Sequence, residues 1–146
     1  MIDLTLLGRL PSGIRAADIS LMVERTFSVA RKKPQGALCI AFVSETEIAK
    51  MNRRFRSVRH ATDVLSFPAP ALPLARGAVR DWGDLLLAPV YIRREAKRRA
   101  ISFQEEVARD IVHGILHLFG FDHRTASEEL RMFSLQERIV ADTHDV

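Results

Sequence analysis

The sequence predicts a single-domain α/β (α+β) protein over residues 1–146, with a four-stranded mixed sheet and about five helices. Three observations support this class. A chain of 146 residues suits one domain. A content of 47% hydrophobic and 27% charged residues is typical of an ordinary folded protein. Segments with strand spacing and helical spacing alternate in the first half, and only helical spacing follows from residue 89 onwards.

The first half predicts strands separated by helices. The four strands are predicted at residues 2–7, 36–44, 62–67 and 83–88. The second of them is a continuous apolar run, which is typical of a central strand buried on both faces. A helix over residues 16–32 places its apolar side chains on one face. A second helix begins at Ser44, which forms a capping box with Glu47.

The connections predict how the strands pair. A helix separates the first strand from the second and the second from the third, so right-handed crossovers predict parallel neighbours for both pairs. Strands three and four have no helix between them, which predicts an antiparallel pair and therefore a mixed sheet. The segment between them, Pro68 to Asp81, contains three prolines and a glycine and is predicted to be a loop without an assigned role.

The rest of the chain predicts three helices. Pro89 suits the first turn of a helix over residues 89–100. The next two helices, over residues 102–120 and 125–143, each begin with a capping-box pair. These pairs are Ser102 with Glu105 and Thr125 with Glu128.

The composition excludes several classes of protein. A lone cysteine, Cys39, lies in an apolar run, where a buried and inert thiol is expected, and it suits a reducing cytoplasm. The first residues lack the basic and apolar regions of a secretion signal. The apolar stretch Leu85 to Ile92 is far shorter than the roughly 20 residues that cross a bilayer.

The charge distribution favours a polyanionic partner. The net charge is +4 with a pI of about 9.8. A modest excess of this kind indicates little by itself, but the basic residues cluster. The two clusters are Arg53, Arg54, Arg56 and Arg59, and Arg93, Arg94, Lys97, Arg98 and Arg99. Solvated helix faces explain either cluster alone, whereas two clusters beside a hydrolytic site indicate nucleic acid.

Three histidines in VHGILHLFGFDHR predict a metal site. His113 and His117 are four residues apart on one helical face, with Cβ atoms about 5 to 6 Å apart. In a continuous helix, His123 would stand about 15 Å along the axis from His113, too far to share an ion. Gly120 resolves this, because a glycine can end the helix in the left-handed conformation and return the chain. Asp122 is a rival third ligand, an acceptor that orients an imidazole, or a loop carboxylate without a role.

The ligand set predicts a catalytic centre rather than a structural one. Three imidazoles leave a tetrahedral zinc ion with one open position, where the pKa of a water molecule falls toward about 7. Nickel, copper and cobalt accept the same ligands. The spacing equals that of the zincin motif HExxHxxGxxH, so the helix is zincin-like. Gly114, however, replaces the glutamate that serves peptidases as general base.

Three blocks of sequence resemble one family. The segment HGILHLFGFDH closely resembles the signature of the bacterial YbeY endoribonucleases, and the segments MNRRFRSVRHATDVLSFP and WGDLLLAP resemble two further family blocks. The resemblance runs in the same order from Ile2 to about Val140. Ala61 departs from a frequent proline, and Phe55 and Phe121 replace frequent tyrosines, so these positions lack a hydroxyl.

The resemblance implies a zinc-dependent endoribonuclease specific for single strands, with one zinc ion held by His113, His117 and His123. It implies single-stranded RNA and the small ribosomal subunit as partners, with roles in 16S ribosomal RNA 3′-end maturation and ribosome quality control. It also implies that Arg56 is catalytic, and such a guanidinium would stabilise charge on the scissile phosphate.

Two alternatives and two weaker residues remain open from the sequence. The alternatives are a noncatalytic ribosome-assembly or RNA-binding factor with a bound metal, and a metallopeptidase, which Gly114 disfavours. Asp84 is a candidate for positioning water, although an aspartate capping a turn fits as well. His60 is a candidate for RNA contact or an ordinary solvated loop residue.

Overall fold

The computed structural model describes residues 1–69 and 80–144 of the chain. The strands are β1 Asp3–Leu7, β2 Ala37–Phe42, β3 Val64–Pro68 and β4 Asp81–Leu87. The helices are α1 Ala16–Val29, α2 Glu45–Arg56, α3 Pro89–Arg99, α4 Phe103–Leu118 and α5 Ala126–His144. The α/β class, the four-stranded mixed sheet and the five helices predicted from the sequence are confirmed for these residues. Most of the predicted loop, residues 70–79, lies outside the described residues.

The sheet has the strand order β1-β2-β4-β3. The pair β1–β2 is parallel and the pair β3–β4 antiparallel, as predicted. The prediction that β2 and β3 are parallel neighbours is wrong, because β4 lies between them and pairs in parallel with β2. Burial explains this order: Leu85 and Leu87 of β4 are fully buried, whereas β3 ends in Pro68, which suits an edge strand.

Only one face of the sheet is fully covered. Leu38, Ile40 and Phe42 of β2 are buried, but the alternating side chains are half-buried, so the predicted burial of this strand on both faces is wrong. Helix α4 packs on the covered face against β3 and β4 and also contacts α1, α3 and α5. On the opposite face, Ile48 of α2 forms a small apolar cluster with Leu65 and Ala88.

Side-chain caps fix the helix starts that position the site. The hydroxyl of Ser102 accepts the backbone N–H of Glu105 at 3.0 Å and begins α4. The hydroxyl of Thr125 accepts the N–H of Glu128 at 3.1 Å and begins α5. Ser44 caps α2 in the same way. Each cap contributes about 1 kcal/mol, and all three predicted starts are confirmed.

The predicted full burial of Cys39 is wrong, although its environment disfavours a reactive thiol. Cys39 is half-buried rather than fully buried, and burial raises the pKa of its thiol, which disfavours the nucleophilic thiolate. Among the described helices, none is both long enough and apolar enough to cross a membrane.

Candidate metal centre

The histidine segment turns back at the glycine, as predicted. Helix α4 ends at Leu118, and Gly120 has a positive φ of 100°. The Gly120 N–H donates to the His117 carbonyl, and the Phe121 N–H donates to the Leu116 carbonyl, each at 3.0 Å. This pair of bonds is a Schellman motif. A Cβ atom at position 120 would meet no atom within 4 Å, so the backbone angle rather than space favours glycine there.

The turn brings the three histidines together. The ligand nitrogens of His113, His117 and His123 all lie within 4.8 Å of one another. His113 and His117 are half-buried on α4, and His123 is exposed on the returning loop. Among the described residues, this is the one group of three potential ligands close enough to share an ion. The three histidines are therefore positioned to bind a metal.

Hydrogen bonds aim the two helical imidazoles at each other. Nδ1 of His113 lies 2.7 Å from Oε1 of Gln136, and Nδ1 of His117 lies 3.0 Å from the Phe121 carbonyl. Both partners are acceptors, so both Nδ1 atoms carry the hydrogen and both Nε2 atoms carry lone pairs. The two Nε2 atoms are only 3.0 Å apart. Two lone pairs at this distance repel each other unless a cation or proton lies between them.

The environment of His117 favours the neutral imidazole, which is the form that binds metals. Burial lowers its pKa first, and the neighbouring His113 lowers it further, whereas the hydrogen bond to the Phe121 carbonyl opposes the shift. Metal ligation requires neutral imidazole. The protein therefore keeps His117 unprotonated over a wider pH range than an exposed histidine.

A chain of side-chain contacts from α5 fixes His113, and the sequence did not predict it. Gln136 of α5 is only 2% exposed. Its Nε2 donates to Glu137 at 3.1 Å, which turns its carbonyl oxygen toward His113. Glu137 is held in turn by Arg109, with two hydrogen bonds of 2.9 and 2.8 Å. This chain of contacts orients the amide and with it the imidazole.

A sequence signal for Gln136 does exist. It occupies the same face of α5 as Met132, Ile139 and Val140, which are all buried. A polar residue at an apolar position of an amphipathic helix requires a buried hydrogen-bond partner. The sequence does not name that partner, because His113 lies 23 residues away.

We expect Gln136→Leu to weaken metal binding by about 10- to 100-fold, because the His113 N–H loses its acceptor. Competition titration against a chromophoric chelator measures the affinity. Ser134→Ala, which trims an exposed side chain on the same helix, serves as the matched control, with near-normal affinity expected. Equal affinity of the folded leucine variant and the wild type would contradict an orienting role.

Both carboxylate oxygens of Asp122 contact residues of its own loop. One of its carboxylate oxygens accepts the N–H of His123 at 2.8 Å, and the other lies 2.9 Å from Arg124. These contacts lower the pKa of Asp122, with the His123 hydrogen bond as the largest cause. Asp122 therefore shapes the loop that carries His123 and does not belong to the group of three ligands.

Position 114 faces the sheet. A Cβ atom on Gly114 would lie 2.8 Å from Cδ2 of Leu85 and 3.2 Å from Oγ of Ser66. Ser66 Oγ also donates to the Gly114 carbonyl at 3.2 Å. The glycine thus lets α4 approach β3 and β4 closely, and a longer side chain there would have to displace the side chains of Leu85 and Ser66.

Arg56 lies at the last turn of α2 and reaches the edge of the sheet. Its Nη2 donates to the Ser66 carbonyl at 2.7 Å. Ser66 contacts Gly114, which adjoins His113, so two hydrogen bonds connect Arg56 to the histidine helix. The guanidinium of Arg56 therefore contacts β3, and α4 packs against the same strand.

The two weaker candidates lie elsewhere. Asp84 is in the middle of β4 rather than at a strand start, and Asp81 accepts the Gly83 N–H instead. Burial first, and then Asp81, raises the pKa of Asp84. His60 is exposed, and its backbone carbonyl accepts Nδ2 of Asn52 at 2.9 Å. The role of either side chain stays a prediction.

The fold and the site define a class: α/β proteins with three histidines positioned to bind one metal ion. Sequence comparison then identifies the family. The model of the family Endoribonuclease YbeY matches residues 14–144, and the chain belongs to that family.

Individual relatives agree with the family match. Endoribonuclease YbeY of Chelativorans sp. (strain BNC1) is 37% identical over 123 residues, which cover 82% of this chain and 76% of the relative. The protein of the same name from Lacticaseibacillus casei (strain BL23) is 38% identical over 108 residues, or 71% of each chain. The solution structure of TM1509 from Thermotoga maritima matches with a TM-score of 0.64 and 26% identity, covering 98% of this chain and 89% of that one. The family resemblance drawn from the three motifs is confirmed.

Proposed function

We propose that this chain is an endoribonuclease that cuts single-stranded RNA and depends on one zinc ion held by His113, His117 and His123. The observation that carries the metal dependence is the 3.0 Å separation of two imidazole Nε2 atoms whose Nδ1 atoms already donate hydrogen bonds. Tetrahedral zinc with bonds of 2.0–2.1 Å separates its ligands by about 3.3 Å, so this pair fits zinc closely. Membership of the YbeY family supports RNA as the substrate.

We place the activity in the cytoplasm, on the small ribosomal subunit. Its proposed roles are 16S ribosomal RNA 3′-end maturation and ribosome quality control. The exposed arginines at the end of α2 support a polyanionic substrate, because clustered basic residues bind phosphates and release counterions.

The chain's own residues supply ligands and charge. A bound zinc ion contributes Lewis-acid chemistry, which polarises a phosphoryl oxygen and acidifies water. His113 and His117 are pre-oriented by Gln136 and the Phe121 carbonyl, so little reorganisation accompanies metal binding. The Schellman turn sets the position of His123.

Arg56 is the proposed phosphate clamp. One of its nitrogens is anchored on the Ser66 carbonyl of edge strand β3, and the exposed guanidinium retains further N–H donors. A planar guanidinium donates to two phosphate oxygens at once and offsets the negative charge that grows in the transition state.

The contacts of Gly114 weigh against the peptidase alternative. The glutamate of the peptidase motif would occupy position 114, where this chain has glycine and where a side chain would have to displace Leu85 and Ser66. No observation specifically favours a noncatalytic assembly factor over an enzyme, and the open coordination position favours the enzyme.

Incubation of zinc-loaded protein with single-stranded RNA, duplex RNA and casein tests the proposal. We expect endonucleolytic cuts in the single strand, slow or no cutting of the duplex, and intact casein. EDTA should stop the reaction and added zinc restore it. Cleavage of casein would favour the peptidase, and RNA binding without cleavage would favour the assembly factor.

Arg56→Ala, tested in the same assay, separates the contribution of phosphate binding by Arg56 from that of metal binding by the histidines. We expect unchanged zinc content and cleavage about 100-fold slower, because a charge-stabilising donor is lost. Arg56→Lys retains the charge but lacks the planar guanidinium, so its cleavage rate should lie between those of the wild type and Arg56→Ala. A normal rate for Arg56→Ala would remove the arginine from the reaction, and loss of zinc would make its role structural.

A further inference from the structure

An exposed phenylalanine ends the helix that carries Arg56. Phe55 is 52% exposed on the last turn of α2. Its ring meets the half-buried ring of Phe67 on β3 edge to face, with centroids 5.3 Å apart. Arg54 lies over the Phe55 ring at 5.2 Å, and Arg56 lies over the Phe67 ring at 5.9 Å. Two aromatic rings and two cations thus form one surface, which we call the Phe55 platform.

The cations near this platform differ from the other basic cluster. In residues 1–69 and 80–144, no carboxylate forms an ion pair with Arg53, Arg54, Arg56 or Arg59. By contrast, several arginines of α3 are paired with acidic side chains. These pairs are Arg94 with Glu45, Arg98 with Glu95, and Arg99 with both Glu95 and Glu106. Among the described residues, four arginines without an ion pair thus lie together at the end of α2, whereas on α3 only Arg93 and Lys97 lack one.

Helix stability accounts for only part of this surface. Basic residues in the last turn interact favourably with the C-terminal end of the helix dipole, which explains arginines at the end of α2. The dipole does not require a large exposed aromatic ring between them. An aromatic face flanked by unpaired cations is the arrangement with which proteins bind single-stranded nucleic acid.

Strand β3 links the platform to the helix that carries the candidate metal centre. Phe67 follows Ser66, whose carbonyl accepts Arg56 and whose hydroxyl donates to Gly114 of α4. A strand of RNA with its scissile phosphate on Arg56 would therefore pass its neighbouring nucleotide over Phe55.

We propose that Phe55, supported by Phe67 and Arg54, is a binding residue on which a base next to the scissile phosphate stacks. This inference rests on the proposed function, since it assumes an RNA substrate at the same site. It also supplies a physical basis for preferring single strands: in a duplex both faces of a base are already stacked, whereas an unpaired base can turn onto a protein ring.

Phe55→Leu removes the ring and keeps an apolar side chain. In EDTA, where cleavage is stopped, we expect it to bind single-stranded RNA about tenfold or more weakly by fluorescence anisotropy. Quenching of a 2-aminopurine base on binding should also be lost. Phe55→Tyr should restore both signals. Val90→Ala, which trims another exposed apolar side chain on α3, is the matched control and should bind normally.

These measurements distinguish a failure of the stacking proposal from a failure of the proposed nuclease activity. Suppose the wild-type protein binds RNA in a Phe55-dependent way but does not cleave it after zinc is restored. The stacking role of Phe55 is then supported, and the proposed nuclease activity is wrong. If Phe55→Leu binds RNA and quenches 2-aminopurine like the wild type, the platform is overturned while the activity stands. Absence of RNA binding by the wild type overturns the platform as well.

Discussion

His117→Ala is expected to lose stoichiometric zinc and to cut single-stranded RNA at least about a thousandfold more slowly than the wild type. His117 is the central member of the group: its Nε2 lies 3.0 Å from that of His113, and its ring centroid lies 5.3 Å from that of His123. Without it, two ligands remain and the metal is held far more weakly. Elemental analysis of protein purified without a histidine tag, together with initial cleavage rates, measures both effects.

His60→Ala is the matched control for this variant. His60 is an exposed histidine in the segment between α2 and β3, outside the group of three ligands. We expect it to keep its zinc, while its cleavage rate separately tests the predicted RNA contact of His60. If His117→Ala at equal purity cuts RNA as fast as the wild type, the cleavage belongs to a contaminant and the proposed function is wrong.

The parts of this site that depend on nearby residues are predictable from the sequence. The spacing of His113 and His117 and the capping box at Ser102 specify one helix and one face. Gly120 specifies where that helix ends, because a positive φ is favourable for glycine. The return of His123 toward the helix follows from these two local features.

The missed features depend on contacts between distant segments. The position of β4 between β2 and β3 depends on which strand buries more apolar surface, and connection rules alone gave the wrong neighbour. The acceptor for His113 comes from another helix, and the sequence identifies Gln136 only as a polar residue in an apolar position. The contact of Arg56 with the Ser66 carbonyl likewise depends on where α2 meets the edge strand.

A buried acidic pair on α4 has a separate consequence for stability. Asp110 is 5% exposed and Glu106 is 3% exposed. One oxygen of each carboxyl group has no hydrogen-bond partner among the described residues. Burial, followed by the hydrogen bond and charge of Asp63, raises the pKa of Asp110 from 3.8 to about 10. Arg99, 3.6 Å from Glu106, opposes this shift without cancelling it. Asp110 is therefore protonated at neutral pH in the folded protein.

The direction of the pH dependence follows from this raised pKa. Between pH 3.8 and about 10 the folded state holds one more proton at Asp110 than the unfolded state does. The contribution of Asp110 to the free energy of unfolding therefore falls by about 1.4 kcal/mol per pH unit as the pH rises. Asp110→Asn removes the titration and keeps an amide that can donate to Asp63. We expect the variant to gain stability relative to the wild type by about 4 kcal/mol between pH 5 and 8.

Urea unfolding of both proteins at pH 5, 6, 7 and 8 measures this gain. The difference between the two proteins is the informative quantity, because titration of Glu106 and the histidines contributes to both curves. Asp18→Asn is the control: the Asp18 side chain is 46% exposed, and Arg15 lowers its pKa, so its effect should be constant over this range. Parallel curves for Asp110→Asn and the wild type would mean that Asp110 is ionised in the folded protein. A widening gap would show that this carboxyl group stays protonated three residues before His113, on the helix that holds the candidate metal centre.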